Sequence, residues 1–349
     1  MKNLLRTVIG LHFCFIIFLS SGKSFAQGDT IRPVHVGLVY PISSNGLNAA
    51  AYTNRFSLHA IAGLSKNETA AAVSGVANII TQNANGAVIS GVINLVGNSA
   101  KGVQVAGFAN MIKNEAVGAQ LAGVMNLSGS ANGIQVAGFG NLTKGDANGL
   151  QISGFLNKSG NGNSQIAGFI NIAKKVKGVQ VAGLINIADS SDYPIALFNF
   201  IKNGEKSIGI TVDETLTSIT SFRSGGKVLY GIVGAGYNFK NADHSLYALE
   251  AGLGAHIPVA GNFRINTEVV NQYLSEFKRG DYNKSSLRIL PAYKLGKKLE
   301  IFGGPTVSYV QFSQDKGYDF VDKFIWKKNG PNDFQGVYIG FNAGIQVFL

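Results

Sequence analysis

Cysteine is almost missing from this 349-residue chain. Its one copy, Cys14, lies inside an apolar run near the N-terminus, so the remainder has no thiol for a disulfide, a nucleophile or a metal centre. Long apolar runs are missing as well. Beyond the N-terminal segment no stretch reaches roughly 18 consecutive apolar residues, which excludes helical membrane spans but not strand-built ones. Histidine is sparse: His12, His35, His59, His244 and His256 do not recur at metal-ligand spacing. The sequence also contains no zinc-protease helix motif, no phosphate-binding glycine loop and no nucleophile elbow. Neither an enzyme nor a cofactor is expected. The charge is +11, yet the lysines are scattered, with only short clusters at Lys174-Lys175-Lys177, Lys297-Lys298 and Lys327-Lys328. A nucleic-acid protein concentrates its charge on one face or helix, so nucleic acid is not an expected partner.

The first residues have the layout of an export signal. Lys2 and Arg6 precede the apolar run Val8 to Leu19, and Ser24-Phe25-Ala26 places small residues at a cleavage point before Gln27. Residues 1–26 are therefore expected to be a signal peptide. Without Lys2, Arg6 and Lys23 the chain keeps 27 basic against 19 acidic residues.

What is abundant is glycine, 45 residues, and it recurs with a period. From Ala72 to Phe200 one phrase repeats: Gly-x-Gln-(Val/Ile/Leu)-(Ala/Ser)-Gly-(Phe/Val/Leu)-x-Asn-(Ile/Leu/Met). Clear copies are Gly102 to Met111, Gly118 to Leu127, Gly133 to Leu142, Gly149 to Asn157 and Gly178 to Ile187. The asparagines fall at 78, 94, 110, 126, 141, 157, 171, 186 and 199, between 13 and 16 residues apart. So many glycines disfavour a helix, each costing about 1 kcal/mol against alanine. Alternation puts Val103, Val105, Gly107 and Ala109 on one face and Gln104, Ala106, Phe108 and Asn110 on the other. A parallel solenoid or β-roll stacks equivalent residues about 4.8 Å apart, so that Gln and Asn side chains can bond along the array. A continuous antiparallel sheet is the alternative, and a ligand-binding Gln/Asn face is the alternative to an internal ladder.

This phrase resembles the short surface-repeat proteins of bacterial envelopes, outer-membrane proteins of gut and environmental Gram-negative bacteria with no agreed activity. The resemblance covers Val34 to about Ile210, including the lead-in Val36-Gly-Leu-Val-Tyr-Pro-Ile and Asn45-Gly46. It implies a location and a fold type and brings no catalytic residues.

After Gly204 the repeat stops and strand-length segments alternate. In the last one, Val337, Ile339, Phe341, Ala343, Ile345, Val347 and Leu349 oppose Tyr338, Gly340, Asn342, Gly344, Gln346 and Phe348. Apolar residues facing lipid and polar residues facing a lumen is the pattern of an outer-membrane barrel. Eight strands are expected: Ser207–Val212, Thr215–Phe222, Lys227–Phe239, Ser245–Ile257, Asn262–Tyr273, Ser286–Leu295, Leu299–Phe312 and Gln335–Leu349. Glu250, Arg264, Glu268, Arg288, Lys294 and Glu300 fall on the inward set, with Arg264 and Glu268 as an expected ion pair. A soluble β-sandwich, or a barrel continuous with the repeat sheet, is the alternative. Eight strands are filled by their own side chains and leave no open pore.

The segment Ser313 to Phe334 is the longest connection. Its aromatics Tyr318, Phe320, Phe324 and Trp326 form a candidate surface-binding loop for a sugar, a peptide or another envelope protein; packing over the barrel mouth is the alternative. The expected organisation is an all-β chain: signal peptide 1–26, lead-in strands and N-terminal cap 27–71, β-repeat array 72–204, β-barrel 205–349. The expected role is that of a non-enzymatic outer-membrane or cell-surface structural or adhesion-type protein. Outer-membrane lipid is the expected partner, with surface polysaccharide or another envelope protein as candidates. A transport or ligand-uptake barrel is the alternative.

Overall fold

Each copy of the repeat closes into one coil. Ala147–Ser153 is a long strand, Gly154-Phe155 turns the corner, Leu156–Lys158 is a short strand, and Ser159-Gly160 leads into the next long strand, Asn161–Ala167. In this computed structural model, which describes residues 30–240, 246–276, 281–313, 318 and 320–349, the coils stack in parallel. They form a β-solenoid of about nine turns, followed by a closed antiparallel eight-stranded barrel. The segment expected to be a signal peptide lies outside the described residues.

Register is set by identity. Gln120, Gln135, Gln151, Gln165 and Gln180 lie directly above one another, and so do the nine asparagines from Asn78 to Asn199. The asparagines form one continuous internal ladder. In its middle, Asn126 Nδ2 donates to Asn141 Oδ1 at 2.9 Å, and Asn141 Nδ2 to Asn157 Oδ1 at 2.9 Å. The asparagines also bond to the long strands. Asn141 Nδ2 donates to the Gln135 carbonyl of its own coil at 3.3 Å and to the Ile152 carbonyl of the next at 2.8 Å. The glutamines run a second ladder, Gln151 Nε2 to Gln135 Oε1 at 2.8 Å and Gln165 Nε2 to Gln151 Oε1 at 2.8 Å. All of these amides are buried. The internal ladder is the outcome, and the ladder residues do not form a ligand-binding face.

One expectation is corrected. Phe108 does not join Gln104, Ala106 and Asn110 inside but is 51 % exposed, and Ala109 does not join Val103 outside but is buried. The corner at Gly107 interrupts the period of two, so alternation restarts in the short strand. That glycine is required by close approach. A Cβ on Gly107 would fall on the carbonyl oxygen of Gly91, and one on Gly123 on that of Gly107.

Both ends of the stack are covered. The lead-in segment joins it, with Ile31–Val39 pairing in parallel with Thr53–Ser65. The strand Ile42–Ser43 and a 3-10 turn, Gly46–Ala51, fold over this first coil. At the other end the barrel hairpin Thr217–Gly225/Leu229–Asn238 takes the place of the next coil. Gly231 meets the carbonyl of Ala196 as the corner glycines meet theirs. Asn199 N donates to Ser224 Oγ at 2.9 Å, and its Nδ2 to the Ser224 carbonyl at 3.2 Å. An open strand edge would invite aggregation, and the hairpin removes it.

The barrel strands are Lys206–Asp213, Thr217–Gly225, Leu229–Asn238, Leu246–Ala260, Phe263–Ser275, Asp281–Leu295, Leu299–Ser313 and Asp333–Phe348. The first and last pair antiparallel, from Ser207 opposite Phe348 to Asp213 opposite Asn342, and close it. Beyond that point a short strand, Trp326–Asn329, continues along Phe334 to Val337. Turns are short at the end that carries the solenoid. The longer connections, including 314–332, lie at the other end.

Candidate membrane interface and filled lumen

The barrel wall is two-sided. Leu249, Leu253, Val269, Leu287, Ile289, Val307 and Ile339 are exposed on the outside. Toward the long connections this belt is bordered by Tyr237, Tyr247, Tyr273 and Tyr309, with Tyr237 and Tyr247 in edge contact at 5.7 Å. Toward the short turns Phe263 and Tyr293, paired across two strands, border it. Between Tyr247 and Ala260, which pairs with Phe263, the strand covers about 43 Å at ~3.3 Å per residue. A tilt of about 40° leaves about 33 Å along the axis, enough for an apolar band flanked by aromatic girdles.

Inside, the wall is charged and the charges are paired. Arg288 Nη2 lies 2.6 Å from Glu250 Oε2, and its Nη1 lies 3.3 Å from Glu268 Oε2. Arg223 Nε reaches Glu268 Oε1 at 3.0 Å, where Tyr230 OH also donates at 3.0 Å. Nearer the short turns, Arg264 lies 2.7 Å from Glu300 and 2.7 Å from Glu205, which also takes Lys294 at 2.7 Å. Nearer the long connections, Lys284 reaches Asp213 at 2.8 Å and Glu214 at 3.0 Å. The expected Arg264–Glu268 pair does not form. Both side chains are in the lumen, but each takes other partners. Arg223 and Lys284 escaped the sequence reading because their strands run further than expected, to Gly225 and back to Asp281. A lumen filled in this way is a packed ionic core.

The loop aromatics divide. Tyr318 and Phe320 are buried against Tyr282, Val310 and Tyr338, with Tyr282 and Phe320 rings 5.1 Å apart. Phe324 packs against Phe334 at 5.0 Å and Tyr338 at 5.9 Å. These three close the mouth of the barrel. Trp326 alone stays outside, 47 % exposed, beside exposed Lys327 and Lys328.

A buried polar cluster sits under the N-terminal cap of the solenoid. His35 and His59, 24 residues apart in sequence, meet with Nε2 atoms 3.4 Å apart. Asn54 Nδ2 lies 3.2 Å from His35 Nδ1 and donates to Glu68 Oε1 at 3.1 Å, which also accepts from Ser57 at 2.6 Å. Burial, then the neighbouring His59, lowers the His35 pKa to about 4, and burial lowers that of His59. Burial raises that of Glu68. Among the described residues no group of three or more His, Cys, Asp or Glu is placed to hold a metal ion.

These shifts fix the sign of a pH effect. Unfolded, the imidazoles take a proton near pH 6.5; folded, His35 does so only near 4. Between those values the unfolded cap binds more protons, so its stability falls as pH falls from 6.5 to 4. Glu68 acts in the opposite direction, losing stability as pH rises above its unfolded value. Hydrogen exchange of amides 31–65, corrected for intrinsic rate, is expected to show protection falling on acidification, and more steeply in Glu68→Gln. Equal protection at pH 7 and pH 4.5 in both proteins would refute this.

No family model, no curated protein and no solved structure matches the chain.

Proposed function

We propose that the chain is a non-enzymatic, exported outer-membrane protein in which the barrel is the anchor and the solenoid a structural or adhesion-type scaffold. The observation that carries this reading is the closed eight-stranded barrel with an apolar, aromatic-bordered outside and a charged inside. A soluble barrel would reverse that distribution; in a membrane barrel, charge facing lipid costs about 2–4 kcal/mol for Arg or Lys at mid-membrane, so charges turn inward. The ion-paired lumen and the plug formed by Tyr318 and Phe320 favour an anchor over a transport or uptake barrel. Outer-membrane barrels carry short turns on the periplasmic side and longer loops outside. On that pattern the solenoid, held at the short-turn end, lies on the periplasmic side of the outer membrane, which favours the structural role over the adhesion-type one, and Trp326 with its lysines belongs to the external mouth. The stacked repeat supports kinship with the short surface-repeat proteins of bacterial envelopes.

Gel mobility with and without boiling tests the anchor. Protein from isolated outer membranes is expected to run at a different mobility unboiled and to resist carbonate extraction. Release as a soluble species with unchanged mobility would sink the membrane reading.

A further inference from the structure

The solenoid's outside is apolar on all but one edge, while its interior combines the amide ladders with small and aliphatic residues such as Ala84, Val88, Val96 and Ile112. Along the Gly-aromatic corner run Val92, Phe108, Phe139, Phe155 and Phe169, all exposed, with Phe139, Phe155 and Phe169 stacked at 5.0 Å. The flanking faces continue this apolar surface, with Val73, Ile89, Val103 and Leu121 on the long strands and Ile79 and Met111 on the short ones. Charge gathers on the opposite corner, at Lys113-Asn114-Glu115, Lys144-Gly145-Asp146 and Lys174-Lys175. An exposed apolar surface of this extent marks an interaction site.

Two further observations identify its partner. The short-strand face ends at Phe200, whose ring lies 6.5 Å from that of Phe222. Phe222 pairs with Ile208 and Val233 on the outer wall of the barrel, so the two apolar surfaces join. A groove of about 1030 Å³ also runs between the short-strand face and the polar corner. Leu95, Leu127 and Leu142 line it, and Lys113, Lys144 and Lys158 edge it. None of these three lysines has an ion-pair partner among the described residues. Aliphatic floor and ammonium edge match an acyl chain leading to an anionic headgroup.

We propose that the solenoid sits edge-on in one leaflet of the membrane that the barrel spans, its Gly-aromatic corner among the acyl chains and its lysine corner at the headgroups. The proposal rests on the barrel reading. Dimensions agree: a seven-residue strand is about 23 Å long, and one leaflet with its headgroup region is about 20–22 Å deep. The stack can enter lipid because parallel coils satisfy one another's backbone groups, which the bilayer interior demands.

The test uses full-length protein, lacking Cys14, reconstituted in phosphatidylcholine–phosphatidylglycerol vesicles. Single cysteines at Phe155 or Val92 (corner), Lys144 (polar edge) and Leu287 (barrel belt) carry an environment-sensitive fluorophore. Lipid brominated near the end of its acyl chains is the quencher. The corner positions are expected to lose as much fluorescence as Leu287, and Lys144 to lose little. Quenching at Leu287 with none at Phe155 or Val92 would overturn the inference and leave the barrel standing. No quenching at Leu287 would overturn the barrel reading and the inference together.

Discussion

Arg288→Met is expected to lower the stability of the barrel by about 3 kcal/mol, near the lower end of what removing one partner of a buried ion pair costs. Methionine fills much of the arginine's volume, so the loss comes from charge. Among the described residues Glu250 keeps only Gln272 Nε2, at 2.9 Å, as a hydrogen-bond donor. Glu268 keeps Arg223 and Tyr230, so most of the effect falls on Glu250. Removing both charges should then restore stability, because a neutral pair leaves no uncompensated ion. Urea titration of the reconstituted protein, read by the mobility of unboiled samples, should show a lower midpoint for Arg288→Met and recovery in Glu250→Gln/Arg288→Met. A double variant no more stable than the single would show that the arginine acts through packing.

The same residue shows what a sequence can and cannot reveal. Arg288 was placed inward by strict alternation, which a barrel wall preserves along a whole strand. Its partners were not legible. Glu250 and Glu268 lie 38 and 20 residues away, and which charges meet depends on strand tilt and on strands longer than their apolar patterns. The asparagine ladder was legible because a solenoid turns sequence period directly into contact. The corner was not, since Gly107 resets the alternation and sends Phe108 outward. The contact between His35 and His59 was not legible either, because they lie in the atypical first coils where no repeat marks equivalent positions. For the mouth loop, composition gave the aromatics but not their direction. Tyr318 and Phe320 turned in, and Trp326 turned out.

Asn126→Leu is expected to have the second large effect, about 3 kcal/mol, and a local one. Asn126 accepts from Asn110 Nδ2 at 2.9 Å and donates to Asn141 Oδ1 at 2.9 Å, the Val136 carbonyl at 2.9 Å and the Gln120 carbonyl at 3.3 Å. Leucine is of similar size, so the coil stays filled while these four partners each lose a bond. A buried polar group left unsatisfied costs about 1–3 kcal/mol. The terms add incompletely, because Asn110 keeps its bonds to the Gln104 and Leu121 carbonyls. Solenoid stability is a sum of neighbour terms, so the damage should stay near the break. Hydrogen exchange on the full-length protein is expected to show lost protection in the coils on either side of Asn126, while the cap and the boiling-dependent mobility of the barrel are unchanged. Asn114→Ala is the control. Its amide also bonds along the stack, to Asn98 Oδ1 at 2.6 Å, but at the exposed corner, where water replaces the lost partner. If Asn126→Leu and Asn114→Ala proved equally mild, the solenoid would be held by its backbone ladders and glycine corners, and the buried asparagines would set register without adding stability.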